Sequence, residues 1–166
     1  MIANIFKILV ISITLSSCGA TGPYFTKLDQ ISNDKALVYL YRSDITQGSR
    51  NAVPSILFNK KPIVELKNNG YTPISVTPGT YTIETDWGWT ARIGNSKIVD
   101  KFEAGKKYFY HFGLENKGLS SLTLLGSAGA YAEHDIISKF TKRNEKEAMS
   151  ELKKYRLVEP LKEHNK

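Results

Sequence analysis

From Lys35 onward the chain runs in short stretches of β-branched and aromatic residues, broken by turn residues about every ten positions, the spacing of an all-β sandwich. "ALVYLYR" (36–42) is apolar and aromatic throughout, as a central strand covered on both faces must be. "YTIETDW" (81–87) alternates instead. It puts Tyr81, Ile83, Thr85 and Trp87 on one face and Thr82, Glu84 and Asp86 on the other. "PSILF" and "PIVEL" flank Asn59-Lys60-Lys61 as the arms of a hairpin. "YTPISV" leads into Thr77-Pro78-Gly79-Thr80, where the order of Pro and Gly asks for a type II turn. "SKIVDKF" and "KYFYHFGLE" read as a last pair, joined by Glu103-Ala104-Gly105-Lys106.

The period changes toward the C-terminus. In "NEKEAMSELKKYRLV" the apolar positions Ala148, Met149, Leu152 and Tyr155 fall three and four apart, giving a helix with one apolar face that packs on a sheet edge. Asn144 and Glu147 have the form of a capping box, with Asn in place of Ser or Thr. Acids stand in the first turn and Lys153, Lys154 and Arg156 in the last, matching the helix dipole. Residues 116–140 are harder to read: Ser121 to Leu125 suit a further strand and "GSAGAYA" a loop. The end of the chain, 159–166, is a polar tail that frays.

One cysteine, Cys18, excludes a disulfide within the chain, so the fold stands on its core alone. Ahead of it come Lys7, an apolar run from Ile8 to Leu15 and the small residues Ser16 and Ser17, the layout of an export signal. The run is too short for a hydrocarbon core, which takes about 20 apolar residues. Leu15-Ser16-Ser17-Cys18 resembles the lipobox of bacterial lipoproteins. That resemblance implies cleavage before Cys18, a diacylglycerol on its sulfur and an acyl chain on its new amine, an anchor of effectively permanent strength. Gly19, where some lipoproteins carry Asp, implies the inner leaflet of the outer membrane if the host is Gram-negative. Residues 1–17 would then be removed, leaving 149 of the 166 residues and, with Lys7 gone, a formal charge of +6 in place of +7. Residues 18–34 read as the acylated cysteine and a flexible tether, and 35–158 as one domain.

The succession "ALVYLYRSD", "PSILFNKKPIVELKNNGYTPISVTPGTYTIET", "FEAGKKYFYHFGL" and "EAMSELKKYRLV" resembles the DUF2846 family of small bacterial lipoproteins over about residues 35 to 158. The shared features are a strand ending in Arg, a short hairpin, a Pro-Gly-x-Tyr-Thr turn and a Gly-Lys-x-Tyr strand. The resemblance implies a mostly β fold: an immunoglobulin-like or PEGA-like antiparallel β-sandwich with one C-terminal α-helix. Two departures are the hairpin turn without Gly and a long stretch at 116–143. The family pattern carries no catalytic motif to transfer.

The residues themselves offer little chemistry. There is no G-x-S-x-G elbow, and only His111, His134 and His164 could supply an imidazole base. His111 lies opposite the Tyr108, Tyr110, Phe112 face of its strand and reads as a surface or satisfied sheet histidine. Glu133, His134 and Asp135 are adjacent, a spacing that rarely converges on one metal ion. Glu84 and Asp86 share a strand face about 7 Å apart, a glycosidase-like separation on what reads as a solvent-facing strand. "GLSSLTLLGSAG" lacks the Lys-Ser or Lys-Thr ending of a phosphate loop. No cofactor or metal is expected. In "DWGWTAR", Trp87, Trp89 and Arg92 could form an aromatic shelf with a cation, although Trp87 equally continues the core face of its strand.

These readings predict a non-enzymatic, lipid-anchored module of the cell envelope that contacts an envelope protein or peptidoglycan. Nucleic acid is a poor partner, since the chain is exported and its Lys and Arg are spread along it. Two alternatives follow from the same residues. One is an envelope glycan hydrolase or transferase using the Trp pair with Glu84 or Asp86; the other is a structural contact of the basic domain with peptidoglycan or anionic lipid.

Overall fold

The computed structural model describes residues 19–43, 52–88, 93–116 and 136–162. The elements are β1 (Ala36–Arg42), β2 (Ser55–Phe58), β3 (Lys61–Glu65), β4 (Gly70–Val76), β5 (Gly79–Asp86), β6 (Ile93–Gly94), β7 (Lys97–Phe102), β8 (Lys107–Asn116), β9 (Ile136–Arg143), α1 (Glu145–Leu152) and β10 (Arg156–Leu157). They form a mostly β sandwich with one helix. A six-stranded sheet has the order β10-β4-β1-β8-β9-β6, and a four-stranded sheet the order β3-β2-β5-β7.

The alternation along each strand builds the layer between the sheets. Val38 and Leu40 of β1, Ile56 and Phe58 of β2, Ile83 of β5, Phe102 of β7 and Tyr110 and Phe112 of β8 meet there. Each such side chain taken out of water contributes about 1.5–3 kcal/mol. The other face of the six-stranded sheet is covered too. Leu37, Tyr39 and Tyr41 of β1, Tyr71 of β4 and Phe109 of β8 lie beneath Phe25 and the apolar side of α1, Ala148 and Leu152. Strand β1 is therefore buried at every residue, which explains its unbroken apolar run.

The four-stranded sheet is antiparallel throughout, as the sequence suggested, but the six-stranded sheet is mixed. β1 pairs with β8 in parallel, as do β10 with β4 and β6 with β9. The chain between β1 and β8 threads the other sheet, so β8 enters from the same end as β1. Pro78-Gly79 and Glu103–Lys106 likewise carry the chain from one sheet to the other; neither closes a hairpin. Gly79 stands at φ 158°, close to extended and far from the value a type II turn requires, and it opens β5. The hairpin at Asn59-Lys60 is real. Both residues are left-handed, φ 49° and 67°, the conformation of a two-residue type I′ turn.

The capping box forms as the sequence implies, with Asn144 Oδ1 accepting from the Glu147 N–H at 2.9 Å. The helix ends at Leu152, however, so Lys153, Lys154 and Arg156 lie beyond its last turn, and it packs on the sheet face and not on an edge. Ile136–Arg143 is a strand the sequence did not announce, while the expected strand at Ser121–Leu125 falls outside the described residues.

The largest correction concerns residues 19–34. They are a fitted strap instead of a loose tether. Gly19 bridges to Asn68, the Ala20 N–H donates to the Asn68 carbonyl at 2.9 Å, and the Phe25 N–H donates to the Tyr155 carbonyl at 3.0 Å. Phe25 is 4 % exposed, its ring edge-on to Tyr39 and Tyr71. Further along, Tyr39 O–H donates to Asp29 Oδ2 at 2.9 Å. Apolar Phe25, Leu28 and Ile31 cover sheet surface that would otherwise face water.

Candidate functional site

Among the described residues three places gather chemistry-bearing side chains, and two of them adjoin at the end of β1. The first is Arg42, whose side chain is fully buried. Its Nη1 donates to the Leu66 carbonyl at 2.9 Å and its Nη2 to the Ala52 carbonyl at 3.0 Å. The guanidinium lies 5.1 Å from the centre of the Trp87 ring. Trp87 in turn packs on Phe112 and is 6 % exposed. Of the aromatic shelf read in the sequence, Trp87 is thus a core ring; Trp89 and Arg92 lie outside the described residues. Glu84 and Asp86 point away from that core face, with Glu84 paired to Lys97 at 3.0 Å. Trp87 and these acids therefore do not line one pocket.

The second place begins one residue later. Ser43 Oγ lies 2.6 Å from His111 Nε2 and 3.1 Å from the Tyr155 hydroxyl. The Tyr41 ring leans on both the His111 and the Tyr155 rings, each at 5.3 Å. Its hydroxyl donates to Glu151 Oε2 at 2.6 Å, and Glu151 Oε1 faces Arg143 Nε at 3.5 Å. His111 is on the sheet face away from Tyr110 and Phe112, as its strand alternation required, but it sits beneath the helix side of the fold and not in open solvent. Burial pulls its imidazole below the ordinary value, Glu151 pulls it up and Arg143 pulls it down. Burial likewise pushes the Tyr41 hydroxyl well up and raises that of Tyr155.

A serine at this distance from an imidazole has the form of a nucleophile and its base. In this structure both the hydroxyl and the nearby carboxylate also have other partners. Ser43 Oγ is shared with Tyr155, and Glu151, the carboxylate that could orient the ring, is engaged by Tyr41 and Arg143. The cluster joins β1, β8, β9, α1 and the residue before β10 through one set of polar contacts. The sequence concealed it because Ser43, His111, Glu151 and Tyr155 are far apart in the chain; the only signal was a lone His on the strand face opposite Tyr108, Tyr110 and Phe112.

The third place is where the strap meets the sandwich edge. A recess of about 360 Å³ is lined by Ala20, Thr21 and Gly22 from the strap, Lys67 from the loop before β4, and Leu157 and Leu161 from the C-terminal run. Leu157 N–H donates to the Pro23 carbonyl at 2.8 Å, Arg156 Nη1 donates to the Gly22 carbonyl at 3.1 Å, and the Arg156 guanidinium stacks 3.9 Å over Tyr24. Cys18 lies outside the described residues, one peptide bond from this point. Glu133, His134, Asp135 and His164 are also outside them. Among the described residues no group of His, Cys, Asp and Glu converges as metal ligands do, and no helix is long and apolar enough to cross a membrane.

No curated protein and no solved structure matches the chain. Residues 32–121 match the family described as "Protein of unknown function (DUF2846)", a span that runs from the end of the strap through β8 and stops before β9. With more than half its length in that match, the chain belongs to the DUF2846 family.

Proposed function

We propose that this protein is a lipid-anchored module of the bacterial cell envelope, acylated at Cys18, that serves as a non-catalytic binding or accessory component. Its localisation on this reading is the envelope, at the periplasmic face of the outer membrane in a Gram-negative host. One observation carries the reading: Gly19, the residue directly after the cysteine that closes the lipobox-like Leu15-Ser16-Ser17-Cys18, is bridged to Asn68 of the sandwich. A lipid-bearing cysteine whose next residue is already bonded to the fold would hold the domain close to its anchor. The exposed edges and end loops are then left to meet an envelope protein or peptidoglycan.

The test is mass spectrometry of the membrane fraction together with crosslinking in intact cells, comparing wild type with Cys18→Ala. The expected result is an N-terminal peptide starting at Cys18 with a diacylglyceryl and acyl mass, and a recurrent envelope crosslink lost in the variant. An unmodified Cys18 in a protein that still carries residues 1–17 would defeat the reading.

A further inference from the structure

We propose that the sandwich edge around the strap, marked by Ala20, Gly22, Lys67 and Leu161, rests directly on the phospholipid leaflet that holds the Cys18 anchor, fixing the body in one orientation. This inference rests on the acylation of Cys18 set out above.

The argument is one of reach. A free tether of the sixteen residues 19–34 could extend roughly 55 Å at about 3.5 Å per residue. The observed strap has no such slack. Gly19 is bridged to Asn68, Ala20 is bonded to the same residue, and Leu157 binds Pro23 while Arg156 binds Gly22. The Cα of Cys18 is then about 3.8 Å from a fixed point on the body. A glycerol carried on its sulfur lies within one side chain's length of Gly19, and the leaflet surface lies with it.

The surface found there suits that neighbour. Leu161 is 43 % exposed at the rim of the recess, one of three exposed large hydrophobic side chains among the described residues. Lys67 is opposed by Glu65 and Glu159, so the face carries both signs and does not depend on anionic head groups. The contact is therefore weakly sensitive to salt, unlike the adsorption of a basic face. The opposite end of the sandwich is far away. β4 begins at Gly70 against Ala20 and runs about 20 Å to Val76, and the turn Glu103–Lys106 lies at that distal end, bonded through Gly105 N–H to the Lys35 carbonyl at 2.8 Å.

The experiment uses the full acylated protein in phosphatidylcholine vesicles containing nitroxide-labelled lipid. Leu161→Cys and Ala104→Cys are made singly and labelled with a fluorophore, which the alkylated sulfur of Cys18 does not take. Quenching several-fold stronger at 161 than at 104, unchanged by salt and reduced when a ten-residue Gly-Ser spacer is inserted after Cys18, is the expected result. Equal or absent quenching at both positions on a protein whose mass shows the diacylglyceryl group overturns the orientation and leaves the anchoring reading standing. Absence of that mass removes the anchor, and the orientation falls with it.

Discussion

The Arg42 guanidinium and the Trp87 ring face each other at 5.1 Å inside the core, with two arginine nitrogens bonded to the carbonyls of Leu66 and Ala52. Three chain segments, the end of β1, the approach to β2 and the end of β3, are held by this one cation. Arg42→Met keeps much of the volume but leaves two carbonyls without these donors, each at a cost of about 1–3 kcal/mol. Urea unfolding followed by circular dichroism should show a loss of about 2–4 kcal/mol with an unchanged slope. Trp87→Phe should cost less, because Trp87 Nε1 makes no hydrogen bond among the described residues. A loss below about 1 kcal/mol for Arg42→Met would mean that the cation is a passenger in the core.

His111 gives the fold a pH dependence near neutrality. Burial holds its folded pKa below the unfolded value, with Glu151 of α1 opposing and Arg143 of β9 reinforcing the shift. In the unfolded chain the imidazole binds a proton at a higher pH than in the folded one, so stability falls as pH drops from above the unfolded value, about 6.5, toward the folded one. His111→Asn should flatten this part of the stability profile, and Ser43→Ala should weaken the fold across the whole range by removing the 2.6 Å contact to Nε2. Stability measured at intervals between pH 8 and 5 checks both; a wild-type curve that is level over that span would contradict the assignment.

Asp100 acts at the acid end. Burial works to raise its pKa, but hydrogen bonds from Lys142, at 2.5 Å, and from Tyr110 outweigh it and hold the carboxyl below the usual carboxylate value. A depressed folded pKa contributes stability that is present above the unfolded value, near 3.8, and is lost as pH falls through the folded one. Asp100→Asn should lower stability at neutral pH and remove that acid-side decline. Parallel acid titrations of the two proteins, read by near-ultraviolet circular dichroism, would reveal the difference, and superimposable profiles would count against it.

Much of the sandwich was legible from local pattern, and its failures have physical causes. The run at 36–42 and the alternation at 81–87 report burial directly, so β1 and β5 emerged with the right faces. Whether consecutive strands pair or change sheets leaves almost no local trace. Pro78-Gly79 looks like a hairpin turn in sequence and serves as a crossing between layers. Strand β9 went unseen because Ser138 takes an inward position usually filled by an apolar residue. It is buried there only because its hydroxyl contacts Thr85 Oγ1 at 3.1 Å and donates to the Gly94 carbonyl at 2.7 Å. The Ser43–His111–Tyr155 cluster was hidden for the same reason: polar groups satisfied across long sequence separations look like surface residues in the chain.

The strap was misread because its composition, rich in Gly, Pro and polar residues, is also that of a linker; only Phe25, Leu28 and Ile31 hinted at a covered face. Its attachment can be broken in two ways that separate fit from burial. A methyl group at Gly22 would run into the carbonyl oxygen of Leu157, part of the backbone and unable to turn aside, so Gly22→Ala should lift the strap from β10. Phe25→Ala leaves that contact intact but empties the space between Tyr39 and Tyr71, at a cost of about 3–5 kcal/mol. Hydrogen exchange should report the difference. Gly22→Ala should speed exchange at Ala20 and Leu157, whose N–H groups bond across the strap junction, with the sandwich core protected as before. Phe25→Ala should expose the outer face of the six-stranded sheet and lower global stability as well. Exchange at Ala20 and Leu157 as slow in Gly22→Ala as in wild type would show that the junction tolerates the methyl group by moving as a unit.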